Sequence, residues 1–152
     1  MRKINITDLI PGVVKGIEIQ MPTEEPGYKE AYFEWTASLL VSKINTTEVS
    51  GGILKAWHHV PVFSEIETHI DTEMFYFVSG VALMLFVDVK NGKPDSETAQ
   101  IVRIQPGTQI IIHPGKGHFV PVSDGSEPVY VVVAAPKMEA PRMLLPESVE
   151  GI

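Results

Sequence analysis

Short runs of β-branched, aliphatic and aromatic residues, broken by Gly- and Pro-containing turns, set the pattern of this chain. Ala99–Ile104 alternates apolar and polar residues, the two-residue period of a half-buried strand. Tyr32–Lys43, Gly52–His59, Met74–Ser79, Val81–Val89, Gln109–His113 and Val129–Ala135 are dense in residues that suit a pleated, partly buried surface, and each is read as a strand. Between them stand Gly51-Gly52, Ser79-Gly80, Asn91-Gly92-Lys93-Pro94, Pro106-Gly107, Pro114-Gly115 and Asp124-Gly125. Glycine supplies positive φ at such places and proline fixes its own. Met1–Gln20 is read as a short turn and an entering strand, and Leu144–Val149 as one C-terminal turn. Many short strands with regular turns predict an all-β sandwich or barrel.

Composition narrows this picture. A chain of 152 residues suits one domain, here 1–152, with 1–20 as an N-terminal segment and 136–152 as a C-terminal tail. Twelve Gly and twelve Pro leave little room for long helices. Without Cys there are no disulfides and no thiolate ligands, so any metal must use His, carboxylate or water. A net charge of −7 argues against nucleic acid as the main partner but not against a small anionic substrate. The longest apolar runs fall far short of a bilayer span, so no membrane partner is expected. Met1–Asp8 lacks the apolar core of a secretion signal, and a cytoplasmic location is expected.

Two stretches carry the candidate chemistry. Glu67–Gly80 reads E-T-H-I-D-T-E-M-F-Y-F-V-S-G, and Pro106–His118 reads P-G-T-Q-I-I-I-H-P-G-K-G-H. Alternation along a strand places Glu67 and His69 on one face. If Glu73 opens the next strand beside them and His118 begins a later one, four ligand-type groups converge. Imidazole and carboxylate groups hold Zn, Mn, Fe or Ni, and also serve as acid and base. A single His is most often a surface or hydrogen-bonded core residue; the spacing of the whole set favours a site. Trp57-His58-His59 also looks metal-like, but adjacent strand residues face opposite ways, so at most one His would point inward. Phe75, Phe77 and Phe119 are read as core, and Glu24-Glu25 as a solvated charge pair.

The spacing H-x3-E-x6-G, followed by P-G-x5-H-P-G-x2-H, closely resembles the paired signature of the cupin superfamily. Glu67 stands where the first His of that signature is usual, and His113 takes the place of a Pro. The resemblance implies a small antiparallel β-barrel of jelly-roll (double-stranded β-helix) type with its site in the mouth. Over roughly Gly52 to Lys137 the chain is similar to the ureidoglycolate lyase family of cupins. Glu67, His69, Thr72, Phe75, Gly80, Lys93-Pro94-Asp95, Gly107, His113 and His118 carry that likeness. Glu73 departs from it, since the family usually has Gln there. The resemblance implies release of urea and glyoxylate from ureidoglycolate.

The chemistry of that reaction asks for a base on the carbinol hydroxyl and an acid at the departing urea nitrogen. Glu67 or Glu73 is the candidate base, and His118 or His69 the candidate acid. Lys55, Lys116 and His113 are candidates to bind the substrate, the lysines toward its carboxylate, although an exposed lysine is more often a solvated surface charge. A divalent metal held by Glu67, His69, Glu73 and His118 is the expected cofactor, unless the lyase works without metal. Two other functions stay open: a metal-dependent cupin of another activity, dioxygenase or isomerase, and a non-catalytic small-molecule-binding cupin. A homodimer is expected, with Met1–Gln20 available for pairing.

Overall fold

The computed structural model describes residues 1–23 and 25–152; Glu24, half of the charge pair named above, lies outside the described residues. Among the described residues, fifteen strands run in chain order as β1 (Arg2–Ile4), β2 (Thr7–Asp8), β3 (Ile17–Gln20), β4 (Tyr28–Lys29), β5 (Glu34–Trp35), β6 (Val49–Ala56), β7 (Val62–Glu67), β8 (Glu73–Ser79), β9 (Ala82–Lys90), β10 (Lys93–Ile104), β11 (Gln109–Ile112), β12 (Gly117–His118), β13 (Val122–Ser123), β14 (Val129–Pro136) and β15 (Arg142–Gly151). One eight-stranded sheet has the order β1-β15-β7-β12-β9-β10-β2, with β13 on β9; a five-stranded sheet has the order β3-β11-β8-β14-β6. The chain passes between the two sheets at β2–β3, β6–β7, β7–β8, β8–β9, β10–β11, β11–β12, β13–β14 and β14–β15. This is the all-β, two-sheet architecture that the strand pattern predicts. No helix among the described residues is long and apolar enough to cross a membrane.

Alternation explains which faces meet. Phe75 and Phe77 of β8, Ile110 and Ile112 of β11, and Val129 and Val131 of β14 point toward Met84 and Phe86 of β9, forming the core between the sheets. The other face of β9 carries Leu83, Leu85 and Val87, which join Phe63, Ile66, Ile101, Leu145 and Val149 in a second core. Strand β9 is therefore covered on both sides, so its sequence reads A-L-M-L-F-V rather than alternating.

Three expectations change. Arg142–Gly151 is a strand rather than a tail ending in a turn, paired with both β1 and β7. Pro146 is accommodated because the register with β7 shifts between Leu144 and Val149. Within Tyr32–Lys43 only Glu34–Trp35 is strand, paired with Tyr28–Lys29 in a small hairpin. The aromatic and aliphatic residues there are largely exposed, Tyr32 at 90 % and Leu39 at 84 %, so strand-like composition has no sheet to join. The N-terminal segment forms three strands in place of one, and β1, β2 and β3 pair with β15, β10 and β11 of the same chain.

Glycines set two of the tight passages near the motifs. Gly80 has φ +75°, and a Cβ there would meet the Pro128 carbonyl oxygen at 2.5 Å. Gly117 has ordinary φ, yet a Cβ would meet Ile66 Cδ1 at 2.5 Å and the Val87 oxygen at 2.8 Å. Gly117→Ala is expected to cost about 1–3 kcal/mol, because β12 must move away from backbone. Urea unfolding checks this; a variant as stable as the parent would contradict the packing described.

Candidate functional site

Four side chains converge where the two sheets meet. His118 sits on β12, directly opposite Glu67 of β7 and Phe86 of β9 in register, so all three share a face. Glu73 is the first residue of β8 and reaches across from the other sheet. His69 lies in the connection between β7 and β8. That connection is tied to the second motif by a hydrogen bond from the Gly115 N–H to the His69 carbonyl, at 2.8 Å. Glu67, His69 and His118 offer ligand atoms that all lie within 4.8 Å of one another. Glu73 Oε2 closes the group, 3.0 Å from His118 Nε2 and 3.2 Å from His69 Nε2. His69, Glu73 and His118 are buried, His118 completely, while Glu67 is half-buried. The rings of His69 and His118 are tilted at 5.2 Å, and Phe75 meets His118 edge-on.

Backbone carbonyls fix the ring orientation. The Nδ1 of His69 lies 3.2 Å from the Glu139 carbonyl, and that of His118 lies 3.0 Å from the Lys116 carbonyl. A carbonyl only accepts, so each Nδ1 carries the proton and donates. Each neutral ring then turns a bare Nε2 lone pair inward, and both lone pairs face the same carboxylate oxygen. Three electron-rich atoms brought together repel unless a cation lies among them, either protons or a metal ion. The structure shows the consequence at His69, whose buried Nε2 has no aligned hydrogen bond despite its short distance to Glu73. Two imidazole nitrogens with carboxylate oxygens are a donor set that fits a borderline divalent metal.

Without a metal, protons must do this work. Burial pushes the Glu73 carboxyl up, but the His118 and His69 imidazoles beside it outweigh that and hold the group down to about 2. Burial pushes His69 down, while contact with Glu73, the charge of that carboxylate, the Glu139 carbonyl and Glu67 carry it above its ordinary value. His69 therefore keeps its second proton to higher pH than a free imidazole, facing an ionised Glu73.

The other candidates are placed elsewhere. Lys55 lies on the exposed face of β6, 5.5 Å from the Trp57 ring and 5.1 Å from Tyr130, so it does not reach the cluster. The reason is alternation: Leu54 and Ala56 turn to the core, which leaves Lys55 outside. Lys116 gives the site its carbonyl, not its charge. Its buried ammonium is bonded to Asp88 at 2.6 Å, against Gly16. His113 follows Ile112, which faces the core, and so turns outward, where it lies 3.3 Å from Glu18. His58 and His59 are both exposed and use their Nδ1 atoms on the carbonyls of Ser123 and Val60. Lys93-Pro94-Asp95 begins β10 at a hairpin rather than forming a loop at the site, and Asp95 pairs with Lys90. Sequence reading missed the carbonyls of Glu139 and Lys116, because a backbone acceptor leaves no mark in residue type.

No protein-family model matches the chain, and no curated protein matches it. Solved structures do. A variant of Bacillus subtilis oxalate decarboxylase aligns at 19 % identity and a TM-score of 0.46, over 64 % of this chain and 24 % of that one. A second structure of that enzyme, concerned with its Mn(II) centres, aligns with the same figures: 19 %, 0.46, 64 % and 24 %. RmlC from Streptococcus suis, in complex with dTDP-D-xylose, aligns at 14 % identity and a TM-score of 0.45, over 59 % of this chain and 44 % of that one. The chain thus spans about a quarter of the length of the decarboxylase it matches.

Proposed function

We propose that this chain is a divalent-metal-dependent enzyme of cupin type acting on a small carboxylate-bearing substrate, and that its reaction is cleavage of ureidoglycolate to urea and glyoxylate. One observation carries the reading. Two imidazole Nε2 atoms, each oriented by a backbone carbonyl, face a single buried carboxylate oxygen with a second carboxylate at the rim. His69, Glu73 and His118 would hold the metal, with Glu67 beside them. When bound, the ion would supply Lewis acidity toward the hydroxyl and carboxylate oxygens of the substrate.

The residues of the chain divide the remaining work. Glu67 is the most accessible of the four and so the one placed to take the carbinol proton. As that proton leaves, the oxygen lone pair forms the aldehyde C=O, the C–N bond breaks, and its electron pair goes to nitrogen. A proton delivered to that nitrogen completes urea, and glyoxylate remains. An Nε2 that holds a metal carries no proton, so in the metal form the proton returns from Glu67 itself or from water. The lyase assignment is supported by the likeness over Gly52–Lys137 and by this fit of base to substrate. Lys93, Asp95 and His113, which share in that likeness, stand away from the cluster.

Assay of protein loaded in turn with Mn, Fe, Ni and Zn should release glyoxylate from ureidoglycolate above the uncatalysed rate. Glu67→Gln should keep the metal and lose turnover by about 100-fold or more. Metal-replete, folded protein that releases no glyoxylate would reject the lyase reaction. It would leave a metal-dependent cupin of another activity, the reading that Glu73 in place of the lyase family's usual Gln favours.

A further inference from the structure

Lys55 lies on the outer face and Lys116 is bound to Asp88, so neither lysine meets the carboxylate of a substrate at the site. We infer that Arg142 is the carboxylate anchor at the rim of the site, an inference that rests on the carboxylate-substrate reading above. Arg142 opens β15 and stands directly opposite Glu67 in the register with β7. Residues opposite one another in an antiparallel pair share a face, so Arg142 lies on the face that carries Glu67 and, one strand further on, His118. Its neighbour Met143 turns the other way, into the second core, which agrees with this placement. Its guanidinium carbon lies 5.3 Å from the ring of Phe119, which follows His118 and packs against the edge of the second core. The segment leading into Arg142 includes Glu139, whose carbonyl orients His69.

The guanidinium is held but not used up. One nitrogen, Nη1, contacts Glu65 Oε1 at 2.9 Å, and the side chain remains 59 % exposed. An exposed pair of this kind is weak in itself. The Glu65 contact and the Phe119 ring hold the planar group in place, and among the described residues only its Nη1 is hydrogen-bonded. A fork of N–H donors matches a carboxylate bidentately, which an ammonium does not. Arg142 thus gives the site a second fixed point, so that the substrate carboxylate is oriented while its α-carbon lies toward Glu67. The ligand class is a small 2-hydroxy carboxylate.

The probe is glycolate, the hydroxy-carboxylate part of the proposed substrate, titrated calorimetrically into metal-loaded protein, with uncharged glycolamide alongside. The parent is expected to bind glycolate more tightly than glycolamide. Arg142→Gln should weaken glycolate by about tenfold or more, with glycolamide and metal affinity unchanged. Arg142→Lys should recover only part of the loss, because the charge returns without the fork. Equal glycolate affinity in the parent and Arg142→Gln would overturn the assignment, as would a parent that does not prefer glycolate over glycolamide. Arg142-dependent glycolate binding in a protein that does not cleave ureidoglycolate would uphold the anchor and reject the lyase reaction alone.

Discussion

Glu73→Gln is expected to abolish stoichiometric divalent-metal binding, lowering affinity by about 100-fold or more, as loss of a ligand exceeds the 10- to 100-fold typical of its supporting partners. Glutamine is nearly isosteric, so the change removes charge rather than volume. The two Nε2 lone pairs would then face a neutral amide in place of a carboxylate. Its NH2 group has two N–H donors that can face those lone pairs, but it offers a metal no negative charge. Metal-free protein should also lose stability. His118 and His69 hold the carboxyl down to about 2 against an ordinary 4.5, so the loss should be clearest below 6.5, where His69 is protonated opposite the carboxylate. Elemental analysis and thermal unfolding of the two proteins check both parts. A Gln variant that retains metal at the parent level would remove Glu73 from the site.

A metal should stabilise the protein far more at pH 8 than at pH 5.5. In metal-free protein, Glu73 has a lowered folded value, so its contribution is present above 4.5 and is lost as pH falls toward about 2. His69 has a raised folded value, so its contribution is present below 6.5 and is lost as pH rises through that folded value. The proton-held cluster is therefore most favourable between 4.5 and 6.5. A metal must displace those protons, so apparent affinity should rise roughly tenfold per pH unit for each proton displaced. Thermal unfolding with and without Mn(II) at the two pH values measures the difference, expected to be several degrees. An equal shift at both would mean that metal binds without displacing protons from the imidazoles.

Much of the fold is legible from period and punctuation. Met74–Ser79 and Val129–Ala135 lie within one residue of the observed strand bounds, since runs of this composition are buried on one face and bounded by turns. Tyr32–Lys43 shows the limit: β-branched and aromatic content describes a residue suited to a sheet, not the presence of a partner strand. Arg142–Gly151 shows the opposite error, because Pro146 reads as a stop unless a register shift is known. The convergence of Glu67, His69, Glu73 and His118 follows from spacing, which places them at strand ends that the topology brings together. Lys55 and His113 were separable from the site only by strand alternation, and Lys116 only by its bond to Asp88. Arg142 was invisible because its link to Glu67 is a matter of register between strands distant in sequence.

One cation-binding point is expected among these side chains, and anomalous diffraction from crystals of the protein loaded with Mn(II) is its sharpest test. A single strong peak should lie at coordination distance from His69 Nε2, His118 Nε2 and Glu73 Oε2, with Glu67 beside it. A peak absent from that point in metal-loaded crystals, or found instead at His113 and Glu18 or at His58 and His59, would contradict it.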